Sequence, residues 1–288
     1  MNYRVLITEA VNEKGLELLR EQGYQLVMGT GPEEETLLRE CADCDGALTR
    51  NGKFSARVFD ACPNLKVVSM HGIGVDGIDV EAATARGIQV CNAAESNQRS
   101  VAEYAIGLIL MLAKQSVTYH NGLKSGQMAD VRKVYGSDVS GKTLGIIGMG
   151  NIGTQVARMA AHGLGRKVGG YRRRIPRDPE MDFGVLTPDM KKVISGADYL
   201  SLHLPGTGST AKLLDAEKLS WLKPSAFLIN TGRGEVIDEA ALIRMLQEGR
   251  LRGAALDVFE GNLPKEDNPL LSMEKVIVTP HTAAFTTE

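Results

Sequence analysis

Five stretches of this chain hold residues whose type and spacing could do chemistry. Arg233 lies in Asn230-Thr231-Gly232-Arg233-Gly234, just after an apolar run. An arginine between glycines at a strand tip can present its planar fork to a carboxylate, although a surface ion pair would look the same. His281, in Thr279-Pro280-His281-Thr282, can carry a proton at physiological pH, or it can be an ordinary surface residue. Asp257, in AALDVFE, could orient a ligand amide, pair with a cation or cap a turn. The turn HGIGVD, His71 to Asp76, offers bare backbone N–H groups that can hold an anion or simply join a strand to a helix. Gly148, Gly150 and Gly153 stand at G-x-G-x-x-G spacing after the apolar run 144–147 and before the helical pattern 154–163. In that context the first glycine makes a tight turn, the second admits a pyrophosphate and the third lets helix and strand pack closely.

The elements that must position these residues alternate. Strand patterns at 4–8, 24–27, 46–48, 65–70 and 88–91 are separated by helical patterns at 13–22, 33–42, 56–61 and 80–86. This is the signature of a parallel sheet covered by helices, and it is complete before the glycine motif begins. The apolar stretch 100–115 predicts a buried helix, and the polar stretch 120–140 a loop. The alternation then resumes, with strands at 144–147, 167–171, 199–202, 226–230, 253–256 and 276–279, and helices at 154–163, 189–195, 215–221 and 238–248. Ligands in open α/β sheets bind just past the carboxyl ends of strands. That rule selects Arg50, the turn 71–76, Arg172, Pro205, Arg233, Asp257 and His281.

Composition narrows the class. The 288 residues allow two domains, and 43% apolar content allows a real core. A net charge of −2 gives no reason to expect nucleic acid or an anionic membrane as partner. The apolar run 105–113 is too short to span a bilayer, and the N-terminus enters a strand pattern without an export signal. The four cysteines fit reduced cytosolic thiols, so a cytoplasmic setting is expected. The C-x-x-C of Cys41 and Cys44 has no second ligand pair, and no metal site is expected.

The residues then converge on a family. HGIGVDGIDVEAATARGI, SNQRSVAEYAIGLIL, GKTLGIIGMGNIG, LSLHLPGTGST, LKPSAFLINTGRGEVIDEAAL, ALDVFE and VTPH occur in this order. In these motifs the chain resembles the D-isomer-specific 2-hydroxyacid dehydrogenases. The resemblance implies two Rossmann-like parallel-sheet domains, with a cofactor domain (97–280) inserted into a substrate domain (1–96). Residues 281–288 would begin the return to the first domain, and the family's usual C-terminal helix would be absent. It implies hydride exchange between a nicotinamide cofactor and a small 2-keto or 2-hydroxy acid, in a homodimer. Arg233 would bind the substrate carboxylate and carbonyl, and His281 would donate the proton. Gly72, Ile73, Gly74 and Val75 would hold the carboxylate. Arg50, Asn51 and His71 could face the rest of the substrate, and the sequence does not show which way they point. Gly148, Gly150, Asn151, Ile152, Gly153, Leu204, Pro205, Thr231, Gly232, Asp257 and Ala283 would line the cofactor.

Two departures shape the expectation. Where the family usually places a glutamate partner for the histidine, this chain has Asn262, with Glu260 two residues away. An amide can orient an imidazole but cannot favour its protonated form as a carboxylate does. Formate dehydrogenases similarly carry an amide here, so a formate- or phosphite-type enzyme and a catalytically weak NAD(P)-sensing protein are the alternatives. Second, NAD-selective members end the strand after the glycine motif with an acid. Here Arg172, Arg173 and Arg174 follow it, which favours the 2′-phosphate of NADP over NAD.

Overall fold

The computed structural model describes residues 3–175 and 182–287. It divides into two compact units, Met1–Asn97 and Gln98–Glu288. Each is a parallel sheet with helical crossovers, the α/β class that the alternation predicts. Residues 282–287 group with the second unit.

The first unit runs β1 (Arg4–Ile7), α1 (Glu13–Glu21), β2 (Gln25–Met28), α2 (Glu34–Glu40), β3 (Gly46–Thr49), α3 (Ala56–Ala61), β4 (Val67–Met70), α4 (Val80–Ala85) and β5 (Gln89–Asn92). Its sheet order is β2-β1-β3-β4-β5. Leu6, Leu37, Phe54, Phe59 and Val68 anchor the core. Asn12 and Asp79 cap α1 and α4 by accepting from Lys14 N–H and Ala82 N–H. The strand order reverses between β1 and β3, so a crevice opens past their carboxyl ends.

The second unit opens with α5 (Gln98–Lys114), α6 (Ser116–Lys124) and α7 (Met128–Val131). It continues through β6 (Thr143–Ile147), α8 (Asn151–Arg158), β7 (Lys167–Tyr171), β8 (Gly184–Thr187), α9 (Met190–Gly196), β9 (Tyr199–Leu202), α10 (Ala216–Leu219), β10 (Phe227–Asn230), α11 (Glu239–Gln247), β11 (Gly253–Leu256) and β12 (Val276–Val278). The seven strands are ordered β12-β11-β10-β9-β6-β7-β8, with the reversal between β6 and β9. Both faces are apolar, and β9, β10 and β11 are buried throughout, as a sheet covered on both sides requires.

Two expectations need correction, and one strand was not expected. The stretch 120–140 is not simply a loop: α6 extends into it and α7 lies within it, after a break at Gln115, whose φ is 54°. α5 buries one stripe, Val101, Ala102, Ala105, Leu108, Ile109, Leu112 and Ala113, and leaves Met111 43% exposed, so its all-round apolarity is not matched by all-round burial. β8 lacks the alternation that would announce a strand; it is an edge strand with Val185 65% exposed. No single helix among the described residues is long and apolar enough to cross a membrane.

At the amino edge of the second sheet, Arg166 is only 4% exposed, and none of its guanidinium nitrogens has a hydrogen-bond partner among the described residues. It lies 4.2 Å over the Tyr199 ring, which stacks on Phe227.

Candidate active site

Register builds the site in the second unit. Tyr171 pairs with Ile147, Ile147 with Leu202, Leu202 with Asn230, Asn230 with Leu256, and Leu256 with Val278. The residues that follow, Arg172, Gly148, His203, Thr231, Asp257 and Thr279, therefore leave the sheet side by side along its carboxyl edge. All the candidate residues chosen from this unit lie on that row or a few residues beyond it.

The glycine turn meets the steric demands of its motif. Gly148 has φ of 101°, and a Cβ there would stand 2.4 Å from the His203 carbonyl oxygen across the strand-order reversal. A Cβ at Gly153 would stand 2.2 Å from the Gly148 carbonyl oxygen, so only glycine lets α8 pack so tightly on β6. Around Gly150 there is open space. Gly150 is also the N-cap of α8 and makes no side-chain capping bond, so the first N–H groups of the helix, at Asn151, Ile152 and Gly153, keep their capacity for an anion. An open glycine before an uncapped helix fits a dinucleotide pyrophosphate. Arg172, Arg173 and Arg174 are exposed beside it at the end of β7.

Gly232 and Gly234 fix where Arg233 stands. A Cβ on Gly232 would lie 2.9 Å from the Leu204 carbonyl oxygen, and one on Gly234 only 1.9 Å from the Phe259 carbonyl carbon. The arginine loop is thus wedged between the strand ends of Leu204 and Phe259. Asn230, fully buried, closes it from below: its Oδ1 accepts from Gly232 N–H at 3.0 Å and its Nδ2 donates to the Arg233 carbonyl at 2.9 Å. The stem of Arg233 passes over Gly206. Leu204 is half-buried, and Pro205 is exposed. Thr231 is buried, with Oγ1 3.5 Å from His203 Nδ1. Desolvation pushes the His203 imidazole down to about 4, so it is neutral at physiological pH, with Nε2 2.9 Å from the Ser201 hydroxyl.

Phe259 also starts the turn that carries Asn262. Phe259 and Asn262 exchange backbone hydrogen bonds, and Gly261 and Asn262 have φ of 82° and 80°. Asparagine tolerates this left-handed conformation better than most residues. Glu239 accepts from Glu260 N–H at 3.1 Å and from Asn268 Nδ2 at 2.7 Å, and Glu235 accepts from Gly261 N–H at 3.3 Å. Asn262 Oδ1 lies 2.5 Å from His281 Nδ1. With Nδ1–H donating to that oxygen, Nε2 is the nitrogen left to exchange a proton. Glu260 is exposed, and it is Asn262 that meets the imidazole.

His281 has φ of 53°, and its placement depends on Asp257. That carboxylate is fully buried. Oδ1 accepts from Thr279 Oγ1 at 2.6 Å and Thr282 N–H at 2.9 Å, and Oδ2 accepts from Ala283 N–H at 2.9 Å. The Asp257 carbonyl accepts from His281 N–H at 2.8 Å. Asp257 and Ala283, both expected along the cofactor, also build the histidine turn. Asn230, Glu235, Glu239 and Thr279 are the residues that sequence reasoning missed, and only Asn230, a polar residue closing an apolar strand, carried any signal.

The first unit holds a second set. Arg50 follows β3, and His71 to Val75 follow β4, at adjacent carboxyl ends in register Thr49 to Met70. Gly72 has φ of 155°. Ala93 N–H donates to its carbonyl at 2.8 Å, and Asn92 Nδ2 donates to the Ile73 carbonyl at 2.7 Å, so the glycine-rich turn is held from β5.

Comparison with known proteins agrees with this architecture. Residues 106–283 match the model of the D-isomer specific 2-hydroxyacid dehydrogenase NAD binding domain. The chain belongs to the D-isomer-specific 2-hydroxyacid dehydrogenase family. It is 40% identical over 287 residues to a D-3-phosphoglycerate dehydrogenase of Methanocaldococcus jannaschii, covering 99% of this chain and 54% of that one. It is 35% identical over 295 residues to a glyoxylate reductase of Korarchaeum cryptofilum, covering 100% of this chain and 88% of the relative. The crystal structure of an NADPH-dependent glyoxylate/hydroxypyruvate reductase from Sinorhizobium meliloti, in complex with NADP and malonate, superposes with a TM-score of 0.88 at 33% identity, covering 100% of this chain and 88% of that one. This 2-hydroxyacid dehydrogenase chain spans about half the length of the phosphoglycerate dehydrogenases it matches.

Proposed function

We propose that this chain reduces a small 2-keto acid to the D-2-hydroxy acid, with NADPH favoured over NADH. The observation that carries this reading is the Asp257-built turn, which presents His281 to Asn262 next to the glycine-wedged loop of Arg233. The nicotinamide cofactor, bound along Gly148 to Gly153, supplies the hydride. The protein's own residues manage the charge that appears on the keto oxygen. Arg233 holds the substrate carboxylate and stabilises the developing alkoxide. His281 delivers the proton from Nε2, with Asn262 fixing the ring through Nδ1. Arg172, Arg173 and Arg174 take the 2′-phosphate of NADP. A homodimer is part of the same reading, supported by exposed apolar side chains at Met111, Leu123, Met128 and Tyr135.

The test is the initial rate of NADPH and NADH oxidation with glyoxylate, hydroxypyruvate, pyruvate and 3-phosphohydroxypyruvate, for the native chain and Arg233→Ala. The expected result is NADPH-preferring turnover, with kcat/KM in Arg233→Ala lower by about 10²-fold or more at unchanged cofactor affinity. Normal cofactor binding without turnover of any keto acid would replace this reading by that of a cofactor sensor.

A further inference from the structure

The turn that carries Asn262 is held by carboxylates from outside it. Phe259 and Asn262 close the turn with their own backbone bonds, so the N–H groups of Glu260 and Gly261 between them need partners elsewhere. They meet two different acids. Glu260 N–H donates to Glu239 Oε2 at 3.1 Å, and Gly261 N–H donates to Glu235 Oε1 at 3.3 Å. Glu239 also grips the far end of the loop. Its Oε1 accepts from Asn268 Nδ2 at 2.7 Å, while Asn268 Oδ1 accepts from Leu270 N–H at 3.0 Å. One carboxylate on α11 therefore pins both ends of the loop 260–268. The helix itself does not need that carboxylate, because Asp238 caps α11 by accepting from Ala241 N–H at 3.0 Å.

We propose that Glu239 is a positioning residue for proton transfer: by pinning the loop 260–268 it holds Asn262 against His281 and so keeps the imidazole in the orientation and tautomer that leave Nε2 for the proton. The assignment rests on the keto-acid reductase reading. Asn262 stands at a left-handed φ of 80°, a conformation that the surrounding bonds must hold. Its Oδ1 meets His281 Nδ1 as an uncharged acceptor. An amide oxygen lacks the longer-range pull of a carboxylate on an imidazole, so it orients the ring only while the turn keeps it within hydrogen-bond reach. The bonds of Glu239 span 21 and 29 residues of sequence, so nothing local restores them when the carboxylate is removed.

The experiment combines kinetics with nitrogen NMR of the histidine rings. The proteins are the native chain, Glu239→Ala, Glu239→Gln, Asn262→Ala and the double variant Glu239→Ala/Asn262→Ala; His281→Gln identifies the His281 signals among the five histidines. In the native chain the neutral His281 ring carries its proton on Nδ1. In Glu239→Ala the Nε2–H tautomer appears beside it, and kcat for glyoxylate and hydroxypyruvate falls alike by roughly 10-fold or more. Glu239→Gln, which keeps one acceptor oxygen and so one of the two bonds, falls between. In the double variant the two losses do not multiply, because Glu239 acts through Asn262. A merely structural role would lower the active fraction, read by cofactor titration, and would leave the tautomer of the folded protein alone. Turnover by the native chain with an unchanged His281 tautomer in Glu239→Ala, or with fully multiplying losses, overturns this assignment alone. No turnover of any keto acid by the native chain removes the reductase reading and this assignment with it.

Discussion

Replacing Arg166 with methionine should stabilise the protein. Burial drives the Arg166 guanidinium down to about 10, with Tyr199 and Asp198 opposing that fall only in part. Relative to an ordinary arginine, and at ~1.36 kcal/mol per pH unit, the folded state penalises the charged form by roughly 3 kcal/mol. The Tyr199 ring, 4.2 Å away, returns up to about 2 kcal/mol as a desolvated cation–π contact. Methionine is an unbranched apolar side chain that can stay buried beside the Tyr199 ring and keep part of that contact through its sulfur. The net expectation for Arg166→Met is a gain of about 1–2 kcal/mol, in line with other buried charges exchanged for apolar side chains. For a unit of this size that is about 2–8 °C in the calorimetric transition at pH 7. The pH dependence has a definite sign. The folded chain gives up this proton at lower pH than the unfolded chain. The penalty is therefore full below pH 10 and fades as pH rises beyond about 10 towards the ordinary arginine range. The advantage of the variant should shrink over that range. A lower transition temperature for Arg166→Met at pH 7 would refute the reasoning.

Two further outcomes follow from the site. Gly234→Ala places a carbon 1.9 Å from the Phe259 carbonyl carbon, so backbone must move; it should lower kcat/KM by about 10²-fold and stability by about 1–3 kcal/mol, while cofactor affinity from fluorescence titration stays within about 2-fold. Asn262→Glu puts a carboxylate beside His281 Nδ1 and should shift the alkaline limb of the pH–rate profile for keto-acid reduction upward by about one pH unit; an unmoved limb would show that His281 is not the proton donor.

Both sheets were legible because βα alternation is a short-range signal, and Arg50, His71, Arg233, Asp257 and His281 do lie past carboxyl strand ends, as position alone indicates. What escaped was settled over long range. Glu9 meets its partners 41 and 42 residues away, and Glu239 its partners 21 and 29 residues away. In the sequence each is an ordinary acid near a helix start. Asp257 was legible as a strand-end carboxylate, and the bonds to Thr279, Thr282 and Ala283 show which turn it builds. Asn262 reads in sequence as a loss of charge. In the structure it is also a residue suited to a left-handed φ of 80°. The edge strand β8 and the helices α6 and α7 escaped because partly exposed elements carry weak periodicity.

The uneven distribution of two rare residue types gives each unit its own built-in reporter. All four cysteines lie in the first unit, where Cys41, Cys44 and Cys62 are buried and Cys91 is half-buried. The single tryptophan, Trp221, lies in the second, half-buried with the Lys191 ammonium 5.5 Å from its ring. Thiol labelling therefore times the opening of the first sheet, and indole emission follows the second, in one sample of unmodified protein. Loosening of the first sheet and loosening of the second can thus be told apart without any substitution being introduced.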